Sequence, residues 1–133
     1  MYNVESLVLT DIAKVLREEF DTIDIASEYV RQPSKFPHVS IVESDNYMLM
    51  EALDSSDKER YSAVMYEVNV YSNKTSGKKA ECRKIMGIID NMMYDMNFIR
   101  TALTPVPNME DATIYRMTAR YQAVTNGTTM FRI

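Results

Sequence analysis

Residues 61–121 constrain this chain more than any other stretch. Residues 61–72 alternate apolar and polar side chains, as a half-buried strand does. A polar turn follows over 73–77. A helical pattern then runs over 78–96, where Cys82, Ile85, Met86, Ile89, Met92, Met93 and Met96 recur every three or four residues. A short strand over 98–103, a loop over 104–111 with Pro105 and Pro107, and a second long alternating run over 113–124 complete it. Strand, amphipathic helix and returning strand describe a layer of sheet under a layer of helix. The stretch holds no catalytic constellation, so it reads as a scaffold whose product is a surface.

The alternation assigns faces. In the first long strand, Ser62, Val64, Tyr66, Val68 and Val70 share the better core face. Tyr61, Ala63, Met65, Glu67, Asn69 and Tyr71 take the other, which is wet or at an interface. In the second, Tyr115, Met117, Ala119, Tyr121 and Ala123 lie opposite Ile114, Arg116, Thr118, Arg120, Gln122 and Val124. Gly87 sits inside the helix at a cost on the order of 1 kcal/mol relative to alanine. Close packing against a strand would justify it.

Upstream, Asn3 is placed to cap a helix over 4–20, with Val4, Leu7, Val8, Ile12, Val15, Leu16 and Phe20 on its apolar side. Residues 22–31 read as a strand, 32–37 as a break with two prolines, and 39–42 as a short strand; the two strands are expected to form a hairpin. Residues 43–60 read as a long polar-acidic connection with an apolar island at 47–53, which admits either a short helix or an extended hairpin arm. Gly127 allows a turn before a last edge strand over 128–133. The order α-β-β-loop-β-α-β-β predicts one α+β domain over 1–133, a mostly antiparallel sheet with two helices packed on one face.

Composition narrows the chemistry. A chain of 133 residues is one domain by length, and 46% apolar with 26% charged residues is an ordinary globular balance. A net charge of -4 argues against a general nucleic-acid binder, and no specific nucleic-acid partner is expected. Cys82 is the lone cysteine, so no internal disulfide is available, which fits a reducing compartment. No charged-then-apolar leader opens the chain, no apolar run approaches the ~20 residues of a membrane helix, and no membrane partner is expected.

With His38 the lone histidine, zinc sites built from Cys and His are out of reach. Cys82 lies on the apolar stripe, a poor place for a reactive thiolate. The run Asn73-Lys74-Thr75-Ser76-Gly77-Lys78-Lys79 lacks the first glycine of a phosphate loop and puts Lys79 where the magnesium ligand belongs. Asp54, Asp57 and Glu59 read as a solvated acidic loop rather than a calcium site. The expectation is a protein that is not an enzyme, with no catalytic residues, cofactor or metal. Eleven Met and nine Tyr suit adaptable, half-wet contact surfaces.

Three groups are candidates for contact. Lys78, Lys79, Arg83 and Lys84 bring positive charge to a helix start, where the dipole favours anions, and so form a basic stripe suited to an acidic neighbour. Arg116 and Arg120 share a strand face, with Glu67 and Asn69 as partners within one subunit or across two. Tyr47, Met48, Leu49 and Met50 form the apolar island of the long connection.

The order of elements resembles the tail terminator (tail completion) proteins of long-tailed bacteriophages and phage-tail-like particles. The resemblance is carried by Phe36-Pro37-His38-Val39-Ser40-Ile41-Val42-Glu43 and by Tyr66-Glu67-Val68-Asn69-Val70-Tyr71-Ser72-Asn73. It continues in Asp95-Met96-Asn97-Phe98, in Asp111-Ala112-Thr113-Ile114-Tyr115-Arg116 and in Arg120-Tyr121. It implies a homo-oligomeric, six-fold ring that caps the tail tube, ends its growth and presents a surface to head or neck connector proteins. Implied partners are further copies of the chain, the tube protein, the sheath where there is one, and the connector. The implied place is the tail–neck junction of a virion or tail-like particle assembled in the bacterial cytoplasm. The alternatives are a head–tail connector or neck adaptor and, from another class, a small cytoplasmic α+β ligand-binding domain or enzyme.

Overall fold

A computed structural model describes residues 1–49, 61–107 and 111–132. The elements are α1 (Glu5–Glu19), β1 (Asp24–Ala26), β2 (His38–Met48), β3 (Ser62–Ser72), α2 (Lys78–Asp95), β4 (Ile99–Val106), β5 (Tyr115–Thr125) and β6 (Met130–Phe131). The six strands form one sheet in the order β1-β2-β3-β5-β4, with β6 also on β5. Every pairing is antiparallel except β1 with β2. Both helices share a core with one face of the sheet, so the chain is a single α+β domain.

Side-chain periodicity builds that core. Val8, Ile12 and Leu16 come round to the buried side of α1, while Leu7 stays exposed. Cys82, Ile85, Met86, Ile89 and Met93 do the same for α2. They meet Val39 and Ile41 of β2, Val64, Tyr66, Val68 and Val70 of β3, and Met117, Ala119, Tyr121 and Ala123 of β5. The core face of β3 is the one the alternation assigns, and on β5 the core side is that of Met117, Ala119, Tyr121 and Ala123.

The helix ends differ. Asn3 Oδ1 accepts the Glu5 amide at 3.2 Å, satisfying one free donor at the start of α1. Gly77, at φ 85°, starts α2 without a side-chain cap. At its far end, Asn97 takes φ 69°; its amide reaches the Tyr94 carbonyl and the Phe98 amide reaches that of Met93, both at 2.9 Å. This left-handed cap ends the helix and aims the chain into β4.

Four expectations are corrected. First, β1 and β2 are not a hairpin: Asp24 lies beside His38 and Ala26 beside Ser40 in parallel register. The 27–37 connection is long enough to return the chain to a parallel start. Second, β2 does not stop at Val42. It runs to Met48 as the extended arm, because β3 offers an unbroken ladder and a bulge between Glu43 and Asp45 absorbs the irregularity. Third, β4 continues through Pro105, which an edge strand tolerates because no inward amide is needed there. Fourth, Gly87 is not justified by close packing, since a Cβ built there meets nothing within 4 Å.

Candidate assembly face

The ladder registers line up side chains on the face of the sheet away from the helices. One rung holds His38, Tyr71 and Arg116; the next Ser40, Asn69 and Thr118; then Val42, Glu67 and Arg120. Beyond the β2 bulge come Asp45, Met65 and Gln122, and then Tyr47, Ala63 and Val124. This outer face divides at Glu67 and Arg120, whose charged groups lie 3.7 Å apart.

On one side of that boundary the face is roofed. Residues 27–37 cross it, with Pro33 and Pro37 buried. The Tyr71 hydroxyl donates to the Val30 carbonyl at 3.3 Å, and the Arg116 guanidinium lies between the rings of Tyr29 and Tyr71, 5.7 and 5.5 Å from their centroids. Arg116 also donates twice to Asn69 Oδ1, at 3.0 and 2.8 Å, and Thr118 donates to the same oxygen at 2.6 Å. Burial, before anything else, pushes the Tyr71 hydroxyl up from its ordinary pKa, while Arg116 pulls the other way.

The roofed half contains an acid, a base and a hydroxyl. Asp24 Oδ2 lies 2.9 Å from His38 Nδ1, and Ser40 follows on the same strand face. A serine nucleophile needs a hydrogen bond to its base and access to substrate. Here His38 Nε2, Ser40 Oγ and Asn69 Nδ2 have no partner among the described residues, and all three side chains are buried. The arrangement therefore lacks the geometry of a triad. Among the described residues, no three His, Cys, Asp or Glu groups converge to hold a metal.

On the other side of the boundary the face is open and apolar. Tyr47, Phe131 and Ile99 are 43%, 40% and 38% exposed, and Met48 at the strand end is 43% exposed. Leu49, Tyr61, Val124, Phe131 and Arg132 line a depression of about 320 Å³. The Tyr61 and Phe131 rings meet edge-on with centroids 6.1 Å apart, and Gln122 Nε2 reaches the Tyr47 hydroxyl at 3.5 Å. A half-wet aromatic patch on a sheet face without helices is the composition of a contact surface.

The residues singled out in the sequence fall into separate places. Tyr47, Met48 and Leu49 lie on or beside the open patch, whereas Met50 lies outside the described residues. Arg120 and Glu67 form the boundary and pair within the chain. Asn69 is wholly buried and Arg116 is engaged by Asn69 and two tyrosines, so neither is the surface contact expected of it. Lys79, Arg83 and Lys84 are exposed on α2, Lys78 is half-buried, and the Lys84 ammonium lies 5.5 Å from the Phe20 ring centroid. Sequence reading missed Tyr61, Val124 and Phe131. Their signal was the alternation itself, which puts Tyr61 and Val124 on the outer faces of their strands.

The geometry defines a class: a helix-backed sheet with one face split between an internal roof and an exposed apolar contact patch. No protein-family model matches the chain, and no curated protein sequence does either. No helix among the described residues is long and apolar enough to cross a membrane.

Proposed function

We propose that this chain is the subunit of a ring that caps the tail tube of a long-tailed bacteriophage or phage-tail-like particle. The ring ends tube polymerisation and presents a surface to the head or neck. The observation that carries the reading is the open apolar half of the outer sheet face. An isolated subunit leaves Tyr47, Leu49, Tyr61, Val124 and Phe131 partly in water, and a stack of subunits on a tube end would cover them. The order of elements and the segments that resemble tail terminators support the same reading.

The test is tube length, measured by electron microscopy in a producing strain with this gene deleted. Overlong, headless tubes of variable length are expected. Tubes of normal length that fail to join heads would move the chain to a connector or neck adaptor. Complete particles in normal number would end both readings.

A further inference from the structure

A second surface runs along the seam between α2 and β4. Arg83, Gly87, Asp90 and Tyr94 recur at helical spacing and form one stripe of α2. The stripe looks onto β4: Asp90 Oδ1 accepts from Arg100 at 3.0 Å and from the Tyr121 hydroxyl at 2.8 Å. Two depressions meet at this Asp90–Arg100 pair. One, of about 120 Å³, opens beside Arg83, Gly87 and Leu103. The other, of about 280 Å³, opens beside Tyr94, Ile99 and Arg132.

Gly87 is the residue the fold does not explain. It lies mid-helix, without a positive φ, and a Cβ there would meet nothing within 4 Å. Alanine would favour the helix by about 1 kcal/mol. Among the described residues, no turn and no close approach offsets that loss. What the missing Cβ does is deepen the seam at its midpoint. A residue held against its local propensity points to a use beyond the single chain.

Charge identifies the occupant. Arg83, Arg100 and Arg132 line the seam against one carboxylate, Asp90, which Arg100 and Tyr121 engage, so the seam is net positive. At the opposite border of the sheet stands β1. The window 18–28, which contains β1, holds Glu18, Glu19, Asp21, Asp24 and Glu28 and no lysine or arginine of its own, so its five carboxylates outnumber the one ammonium, Lys84 of α2, that reaches the Phe20 ring. All of these but Asp24 are exposed, and Asp24 is bound to His38. One sheet thus has a basic border and an acidic border. Strand addition is disfavoured at both: β4 carries Pro105 and a bulge between Arg100 and Ala102, and β1 is three residues long. Contact between copies at these two borders is therefore left to side chains rather than to backbone pairing.

We propose that the α2–β4 seam receives the acidic β1 border of a second copy of this chain, so that copies join head to tail. Such a contact uses different surfaces on its two sides, the kind that closes into a ring. The proposal deepens the ring reading and rests on it for its biological setting, but the contact itself is tested with the purified full-length chain.

Association is followed by sedimentation velocity at several salt concentrations. The wild-type chain is expected to self-associate, less so as salt rises. Gly87→Ala is expected to raise Tm while weakening association at least tenfold, a pairing that loss of fold does not produce. Arg83→Glu with Gly87→Leu blocks the seam; Glu18→Lys with Asp21→Lys blocks the acidic border. Each double variant alone should remain monomeric, and an equimolar mixture should give heterodimers that grow no further, because one intact half remains on each partner. A wild-type chain that stays monomeric, seam variants that associate like wild type, or a mixture as inert as its components would overturn the proposal. If the variants block association yet gene deletion leaves tube length normal, the contact stands and the terminator reading falls. If tube length depends on the gene and the variants associate normally, the reverse holds.

Discussion

Arg116 and Arg120 stand four residues apart on one strand face and have opposite standing. Arg120 is an exposed boundary residue with a loose partner in Glu67, the kind of pair that contributes little in water. Arg116 is locked to Asn69 and between two tyrosines. Arg116→Glu is therefore expected to destabilise the fold by about 2–4 kcal/mol, through lost charge-assisted hydrogen bonds and a carboxylate forced against Asn69 Oδ1. Arg120→Glu is expected to cost under about 1 kcal/mol. Urea denaturation of the two variants checks this, and equal losses would refute the division of the face. Alternation could not separate the two arginines. It reports which way a side chain points, not whether a segment remote in sequence lies over it.

Titration gives a second residue-scale expectation. Burial, with a smaller push from Glu81, raises the Cys82 thiol from its ordinary 9.0 to about 12. The buried hydroxyls of Tyr66 and Tyr121 shift upward too, for burial first and then for their carboxylate partners Glu43 and Asp90. These groups keep their protons longer in the folded chain than in the unfolded one. Their contribution is intact below pH 9 and is lost as pH climbs from there towards 12. Stability measured against pH should fall across that window, and more gently in Cys82→Ala relative to its own neutral-pH value. Below pH 9, thiol reagents should label Cys82 only on unfolding.

At the scale of elements, α2 was the most legible part of the chain, because its stripe of apolar residues holds for about four turns. Its cap was not legible as a cap: Asn97 does there what glycine commonly does, and its side chain also donates to the Met130 carbonyl at 3.0 Å, tying β6 to the helix end. Asn97→Gly removes the bond but relaxes the backbone, so it should be near neutral. Asn97→Ala removes the bond and keeps the strain, and should cost about 1–2 kcal/mol. Thermal melts of the pair test this ordering. The β1–β2 pairing was misread for a different reason. Two β-prone runs separated by a break predict that strands exist, whereas their relative direction depends on where the break travels. The length of β2 was hidden because Glu43, Asp45 and Asn46 are weak strand formers; the ladder to β3 and the Tyr66 hydroxyl on Glu43 at 3.1 Å hold them in place.

For the whole molecule, layer and class were legible, since two periodicities, one for strands and one for helices, suffice to stack a sheet under helices. The candidate face was legible only in part, because Tyr47, Tyr61, Val124 and Phe131 come from three separate regions that meet through register. Tyr47→Ser combined with Phe131→Ser removes exposed apolar surface, so the fold should hold to within about 1 kcal/mol. Binding to isolated tube ends, read by electron microscopy, should fall sharply. Binding unchanged in that variant would place the tube contact elsewhere.

The roof over the outer face has a consequence in time. Its segment precedes β3 and β5 in the chain, yet it is fastened to Tyr71 on β3 and Arg116 on β5. The adjacent strands β2 and β3 can zip locally, whereas the roof waits for the chain's last long strand. Pulse-labelling hydrogen exchange during refolding should therefore find the amides of 24–30 protected after those of β2 and β3. The roof would close after the strands it covers, with His38, Ser40 and Asn69 open to water until that moment.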